Sequence, residues 1–177
     1  MTTPGLEFSR IVDVSALPPR GHAIEVTASA EERTAVAARL GVRTIDSLSG
    51  ALTLTPIAGG AVRVSGEFAA AVGQVCVVTL EPISSTLTGP VAVTFVPAAA
   101  PGDEDDDLDP DSEDTEIIHG SDVDIGEVVV QHLALAIDPY PRKAGASYAP
   151  DTQPAPKTST VSPFAALAKL RSSNHSR

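Results

Sequence analysis

The sequence predicts an α+β fold: an antiparallel meander sheet, strongly twisted or barrel-like, with two or three short helices. Three observations carry this. Apolar and polar residues alternate over Ala61–Ala69, where Val62, Val64 and Phe68 interleave with Arg63, Ser65 and Glu67, the period of a half-buried strand. The apolar runs between Ile45 and Val96 are joined by short connections, which suit antiparallel neighbours, because a parallel crossover needs a dozen or more residues. Two other stretches, opening at Ser29 and Asp124, carry helix start signals.

In chain order, Phe8–Val14 reads as a first strand, and Leu17-Pro18-Pro19-Arg20-Gly21 breaks it. His22–Ala28 alternates well enough to be a second strand. Ser29-Ala30-Glu31-Glu32 has the reciprocal Ser/Glu spacing of a capping box. Val36, Ala37 and Leu40 lie on one face of the helix that follows, and Gly41 stands where a left-handed C-cap is wanted. Ile45–Ile57 reads as a strand, with Gly50 as a bulge position. After the Gly59-Gly60 turn come Ala61–Ala69, then Gly73–Pro82, then Ser84–Val96 interrupted by Gly89-Pro90. Thr115–His119 reads as one more short strand. Asp122–Asp138 reads as a helix with Asp124 and Glu127 at cap spacing, an apolar stripe through Ile125, Val128, Val129, His132, Leu133 and Ala136, and Pro139 as its stop. The competing signal there is Val128-Val129-Val130, which favours a strand.

Residues 1–139 are therefore expected to form one domain, with a mobile acidic loop at about 98–115. Residues 140–177 are expected to be a Pro/Ala/Thr-rich tail ending in a short helix at about 163–171. Ser162-Pro163 opens that helix, since proline is well tolerated at the first helical position. Phe164, Leu167, Ala168 and Arg171 then fall at helical spacing.

The chain has 177 residues and a formal net charge of −11. Ten of its 23 acidic residues lie in Asp103–Glu116, and the remaining 13 face 12 basic ones. The body is thus near neutral and carries one self-repelling, solvated acidic segment. There is no Trp, and there are only 4 Phe and 2 Tyr, so base stacking, the usual hold on single-stranded nucleic acid, is poorly supplied. The single cysteine, Cys76, excludes an internal disulfide and a multi-cysteine zinc site. No leader-like N-terminus and no membrane-length apolar run is visible, and the expected location is cytoplasmic.

Cys76 lies in the strongest apolar run, Gly73-Gln74-Val75-Cys76-Val77-Val78-Thr79-Leu80-Glu81-Pro82. A nucleophilic role needs a neighbouring base, and none of His22, His119, His132 and His175 sits in a motif that supplies one. The apolar neighbours favour packing. The acidic run lacks the alternating ligands, glycine and closing glutamate of a calcium loop. Arg142 and Lys143 follow two prolines and read either as solvated cations or as a phosphate contact. No phosphate loop, metal motif or hydrolytic triad is present, and no catalytic residue, metal ligand or cofactor site is assigned.

Three pieces, taken in order, resemble one family. Cys76-Val77-Val78-Thr79-Leu80-Glu81-Pro82 is similar to the Cys-x-x-Cys-Leu-Glu segment of the YceD family of large ribosomal RNA subunit accumulation proteins. Asp124-Ile125-Gly126-Glu127-Val128-Val129, with Leu133 and Pro139-Tyr140-Pro141-Arg142, resembles its second motif. Ser162-Pro163-Phe164-Ala165-Ala166-Leu167-Ala168-Lys169-Leu170 resembles its C-terminal signature. Thr79 stands where many members have a second cysteine, and the Pro139–Lys143 stretch has none. The zinc site that the resemblance implies for cysteine-rich members is therefore not carried over. The resemblance implies a non-enzymatic factor supporting large-subunit rRNA accumulation, with a ribosomal protein or the rRNA as partner. The expected contact residues are Arg142, Lys143, Pro163, Phe164, Leu167 and Leu170. A thiol-dependent enzyme using Cys76 and a purely structural adaptor are the alternatives.

Overall fold

A computed structural model describes residues 7–98, 115–118 and 120–147. The acidic run from 103 to 114, His119 and the expected C-terminal helix, with Pro163, Phe164, Leu167 and Leu170, lie outside the described residues. The architecture is α+β. A five-stranded sheet has the order β2-β3-β4-β5-β6, and a two-stranded ribbon pairs β1 with β7. The strands are β1 (Ile11–Asp13), β2 (His22–Thr27), β3 (Thr44–Pro56), β4 (Val62–Val75), β5 (Pro82–Pro97), β6 (Thr115–Ile118) and β7 (Asp122–Asp124). The helices among the described residues are α1 (Ala30–Leu40), α2 (Ile125–Ala136) and one 3-10 turn at Ala58–Gly60.

Strands β2 to β5 form the expected antiparallel meander, and β6 adds to β5 in parallel. The sheet ends at β2 and β6 and is not closed, so the barrel-like expectation is not met. Only Ile11–Asp13 of the first expected strand pairs, and it pairs with β7 rather than with the main sheet.

The long strands bury every second side chain. Leu48, Leu52 and Leu54 of β3, Val62, Val64, Phe68, Ala70 and Val72 of β4, and Val91, Val93 and Phe95 of β5 share one face. Each such fully buried aliphatic stabilises the fold by about 2 kcal/mol relative to its exposed state. Val36 and Ala37 of α1 and the apolar stripe of α2 join the same core. The opposite face is lined by short side chains such as Thr27, Ala51, Ala69 and Thr88, all exposed.

Two strand boundaries differ from the sequence expectation. Ala61–Ala69 and Gly73–Pro82 are not separate strands: β4 runs through Ala69-Ala70-Ala71 and stops at Val75. The alanines hide the alternation because they are apolar on both faces. Cys76 therefore sits in the turn after the strand, not in its middle. Likewise Gly89-Pro90 does not break β5. Beside Pro90 the strand pairs only with β4, because β6 reaches it only from Thr94 to Pro97. Proline lacks a ladder donor and is tolerated on such an open edge.

Gly50 is not the bulge of β3. The register shifts between Ile45 and Ser47. Gly50 instead marks close packing, since a Cβ there would stand 2.7 Å from Val129 Cγ2 of α2.

Both helices carry the caps expected from the sequence, but Asp122–Asp124, expected to open the second helix, is strand β7, because it pairs with β1. The Ser29–Glu32 capping box closes in both directions, and Gly41 takes the left-handed cap at φ 66°. Asp124 caps α2 by accepting from the amides of Gly126 and Glu127. The helix ends at Ala136, ahead of Pro139, and buries Ile125, Val128, Val129, Val130 and Leu133. Ala136, expected on the stripe, is exposed. The buried valines pack on the sheet, so tertiary contact outweighs their β-preference.

Candidate functional site

Two clusters hold most of the residues singled out from the sequence. The first anchors the start of α2. Asp124 Oδ1 accepts from the Gly126 amide at 3.0 Å and from the Arg10 amide at 2.7 Å, and Asp124 Oδ2 accepts from the Ser9 hydroxyl. One carboxylate thus caps the helix and ties down the N-terminal segment. Gly126 lets that segment pass: a Cβ there would lie 2.3 Å from the Phe8 carbonyl oxygen. Glu127 accepts two bonds from Arg39 of α1, at 2.7 and 2.6 Å. Arg10 makes a matching pair with Glu32 at 2.7 and 3.0 Å and stacks 4.8 Å over the Phe8 ring. Hydrogen bonding from Arg10 pulls the Glu32 carboxyl down to about 2. Paired bonds from a planar guanidinium fix orientation as well as adding energy. Leu133 is buried in the core, and the side chains of this cluster are engaged in joining elements of the fold.

The second cluster lies beyond the end of β4. Val75 and Pro82 pair across the sheet, so residues 76–81 form a tight loop between two strands. The Cys76 amide donates to the Glu81 carbonyl at 2.9 Å, and the Leu80 amide donates to the Cys76 carbonyl at 2.9 Å. Leu80 is held at φ 59°, the one non-glycine with positive φ among the described residues. That left-handed backbone costs a residue with a Cβ about 1 kcal/mol or more. The Leu80 side chain is 77% exposed.

The segment after α2 folds back onto this loop. Gln74 Nε2 donates to the Asp138 carbonyl at 2.8 Å, and the Val77 amide donates to the Pro141 carbonyl at 3.0 Å. Cys76 Sγ, fully buried, accepts from the backbone amides of Lys143 at 3.3 Å and Thr79 at 3.4 Å. Lys143 Nζ then meets Glu81 Oε2 at 2.9 Å, and the Thr79 hydroxyl donates to the same carboxylate oxygen. Hydrogen bonding, from the Lys143 amide first and then from the Thr79 side chain and amide, brings the Cys76 thiol down to about 6, although burial works the other way. The ion pair lowers Glu81 and raises Lys143.

Metal chemistry does not fit this arrangement. Cys76 supplies the sole sulfur, Thr79 offers a neutral hydroxyl, and Lys143 brings a cation where a further ligand would be needed. Among the described residues no three of His, Cys, Asp or Glu gather as a ligand set. Backbone amides and one ion pair join the two segments instead. Nor, among the described residues, does a histidine bond to Cys76: His132 Nδ1 is engaged with the Val128 carbonyl at 2.8 Å.

The second cluster falls within residues 64–171, as do Asp124, Gly126, Glu127 and Leu133 of the first, and these residues match the model of a family described as large ribosomal RNA subunit accumulation protein YceD. The chain belongs to the YceD family. The resemblance read from three motifs is thereby shown, and the family name connects the chain with accumulation of large-subunit rRNA. No curated protein and no solved structure matches the chain.

Within this YceD chain the structure separates the motif residues into two kinds. Asp124, Gly126, Glu127 and Leu133 hold elements together. Cys76, Leu80, Glu81, Pro82, Pro139, Pro141 and Lys143 come together in the second cluster. Arg142 is exposed beside them. Sequence reasoning passed over Arg10 and Arg39, whose partners are far away in the chain. It also passed over Gln74 and Val77, which join the two segments. The signal for the second cluster lay in Pro139-Tyr140-Pro141, an extended stretch that cannot continue the helix.

Proposed function

We propose that this YceD protein is a non-enzymatic, cytoplasmic factor that supports large-subunit rRNA synthesis, processing or stability by binding a ribosomal protein or the rRNA itself. The observation that carries this reading is the family match, which spans both segments of the second cluster. The binding face is that cluster, where a hydrogen-bonded frame displays exposed side chains. A buried Cys76 sulfur with two amide donors is consistent with a framing role and gives no substrate access. Among the described residues no helix is long and apolar enough to cross a membrane.

The test is deletion of the gene followed by measurement of the ratio of large- to small-subunit rRNA. A fall in that ratio, restored by the wild-type chain and by Cys76→Ser, is the expected outcome. Loss of rescue by Cys76→Ser, with the variant folded, would turn the reading toward a thiol mechanism. Affinity capture with and without nuclease separates the two partners. A ribosomal protein retained after nuclease indicates direct protein binding, and its release indicates an RNA tether.

A further inference from the structure

We infer that the Cys76–Glu81 turn and the Pro139–Lys143 segment form a docking surface for an extended protein segment carrying aliphatic side chains beside carboxylates. This rests on the reading that the chain acts by binding. Of the eight large apolar side chains left exposed among the described residues, four gather here: Val77, Leu80 and Tyr140 within these two stretches, and Val75 directly before the first. Val75 and Val77 line a shallow groove with Pro139 and Pro141, and Arg43 stands at its side. Such a concentration of apolar surface marks an interaction site more often than scattered exposed residues do.

Leu80 adds an independent observation. Glycine would adopt its left-handed backbone freely, yet a leucine stands there with most of its side chain in solvent. Strain combined with apolar exposure serves nothing inside the fold, and such outliers gather at functional sites. The frame beneath it is set by the amide bonds to Cys76 Sγ and by the Glu81–Lys143 pair. A pre-formed surface loses little conformational entropy on binding.

Charge selects the partner. Lys143 is neutralised by Glu81, and the Asp138 carboxylate accepts from the Tyr140 amide at 2.8 Å. Arg43 and Arg142 are exposed, and neither guanidinium has a carboxylate partner among the described residues. The charges here without an ionic partner among the described residues are thus two guanidiniums against the one Asp138 carboxylate, a local excess of positive charge on a chain whose net charge is −11. RNA fits less well, because valine and leucine do not stack on bases and two free cations neutralise few phosphates.

The experiment is a titration of the isotope-labelled full chain, followed by amide chemical shifts, with a short peptide of alternating leucine and aspartate. A leucine–lysine peptide and an oligouridine are run in parallel. Shifts centred on residues 75–81 and 139–143, seen with the acidic peptide, are expected. Leu80→Gly should weaken that binding about tenfold, the factor carried by about 1.4 kcal/mol, with an unchanged or raised melting temperature. Absence of shifts at these residues, stronger shifts with the lysine peptide or the oligouridine, or unaltered binding by Leu80→Gly would overturn the proposal. The rRNA ratio after gene deletion reports separately on the broader reading. If deletion lowers that ratio but Leu80→Gly loses the peptide and still restores rRNA fully, the surface is severed from the function.

Discussion

The two motif clusters of this YceD chain are built by opposite means. Around Asp124 and Gly126, backbone passes so close to backbone that only one side-chain choice fits, and the charged groups are spent on holding α1, α2 and the N-terminal segment together. Around Cys76 the contacts are amide-to-sulfur bonds and one exposed ion pair, and the apolar side chains point outward. The first kind of motif protects the fold. The second protects the shape of a surface. Residues of one family signature thus need not share a role.

The sharpest way to break this contrast is Gly126→Ala. The new Cβ meets rigid backbone, the Phe8 carbonyl and the Arg10 nitrogen, so a loss of about 3 kcal/mol is expected from overpacking, read as a fall in the denaturant midpoint. A midpoint close to wild type would show that the N-terminal segment yields easily, and the distinction between the clusters would weaken. Asp124→Ala follows. It removes the α2 cap and leaves the Arg10 amide without its acceptor, together worth about 2 kcal/mol. Chemical denaturation checks it, and the Cys76–Lys143 contacts should persist in the folded variant.

Titration probes the second cluster. The Cys76 thiol is held at about 6 against an ordinary 9.0. A depressed folded value means that the thiolate stabilises fully above about pH 9 and that this contribution is lost as pH falls through 6. Thiolate absorbance should rise with a midpoint near 6, and stability should increase from pH 6 to 9 in the wild type but not in Cys76→Ala. A midpoint near 9 would mean that burial outweighs the amide bonds.

The smallest effect belongs to the Arg10–Glu32 pair. The Glu32 carboxyl lies at about 2 rather than 4.5, so its contribution is present above pH 4.5 and fades as pH falls toward 2. Glu32→Gln should flatten the acid-unfolding curve in that window while leaving the Cys76 titration unmoved. Coupling between the two would show that the clusters are one unit.

Much of the fold was legible because local chemistry repeats itself. Ser29, Glu32 and Gly41 marked α1, and Asp124 with Glu127 marked the start of α2, since capping acts over three or four residues. The β4 and β5 boundaries were misread at Ala69-Ala70-Ala71 and at Gly89-Pro90. Alanine shows no preferred face. Proline breaks a strand only where a neighbour needs its amide, and the neighbour is a tertiary fact. Of the candidate site, Cys76, Glu81, Pro139, Pro141 and Lys143 were named but not joined, because their contacts span about 60 residues of chain.

The sequence by itself determined the class of fold, the helix ends, the family and the want of a second cysteine at Thr79. These depend on residue type, spacing and short-range hydrogen bonding. Tertiary structure alone decided that β6 would add in parallel, that Gly50 and Gly126 serve close packing, and that Cys76 meets Lys143. It also decided that Leu80 faces solvent from a left-handed backbone. The physical reason is that burial, register and amide partners are set by segments distant in the chain, and no local pattern encodes which of them will arrive.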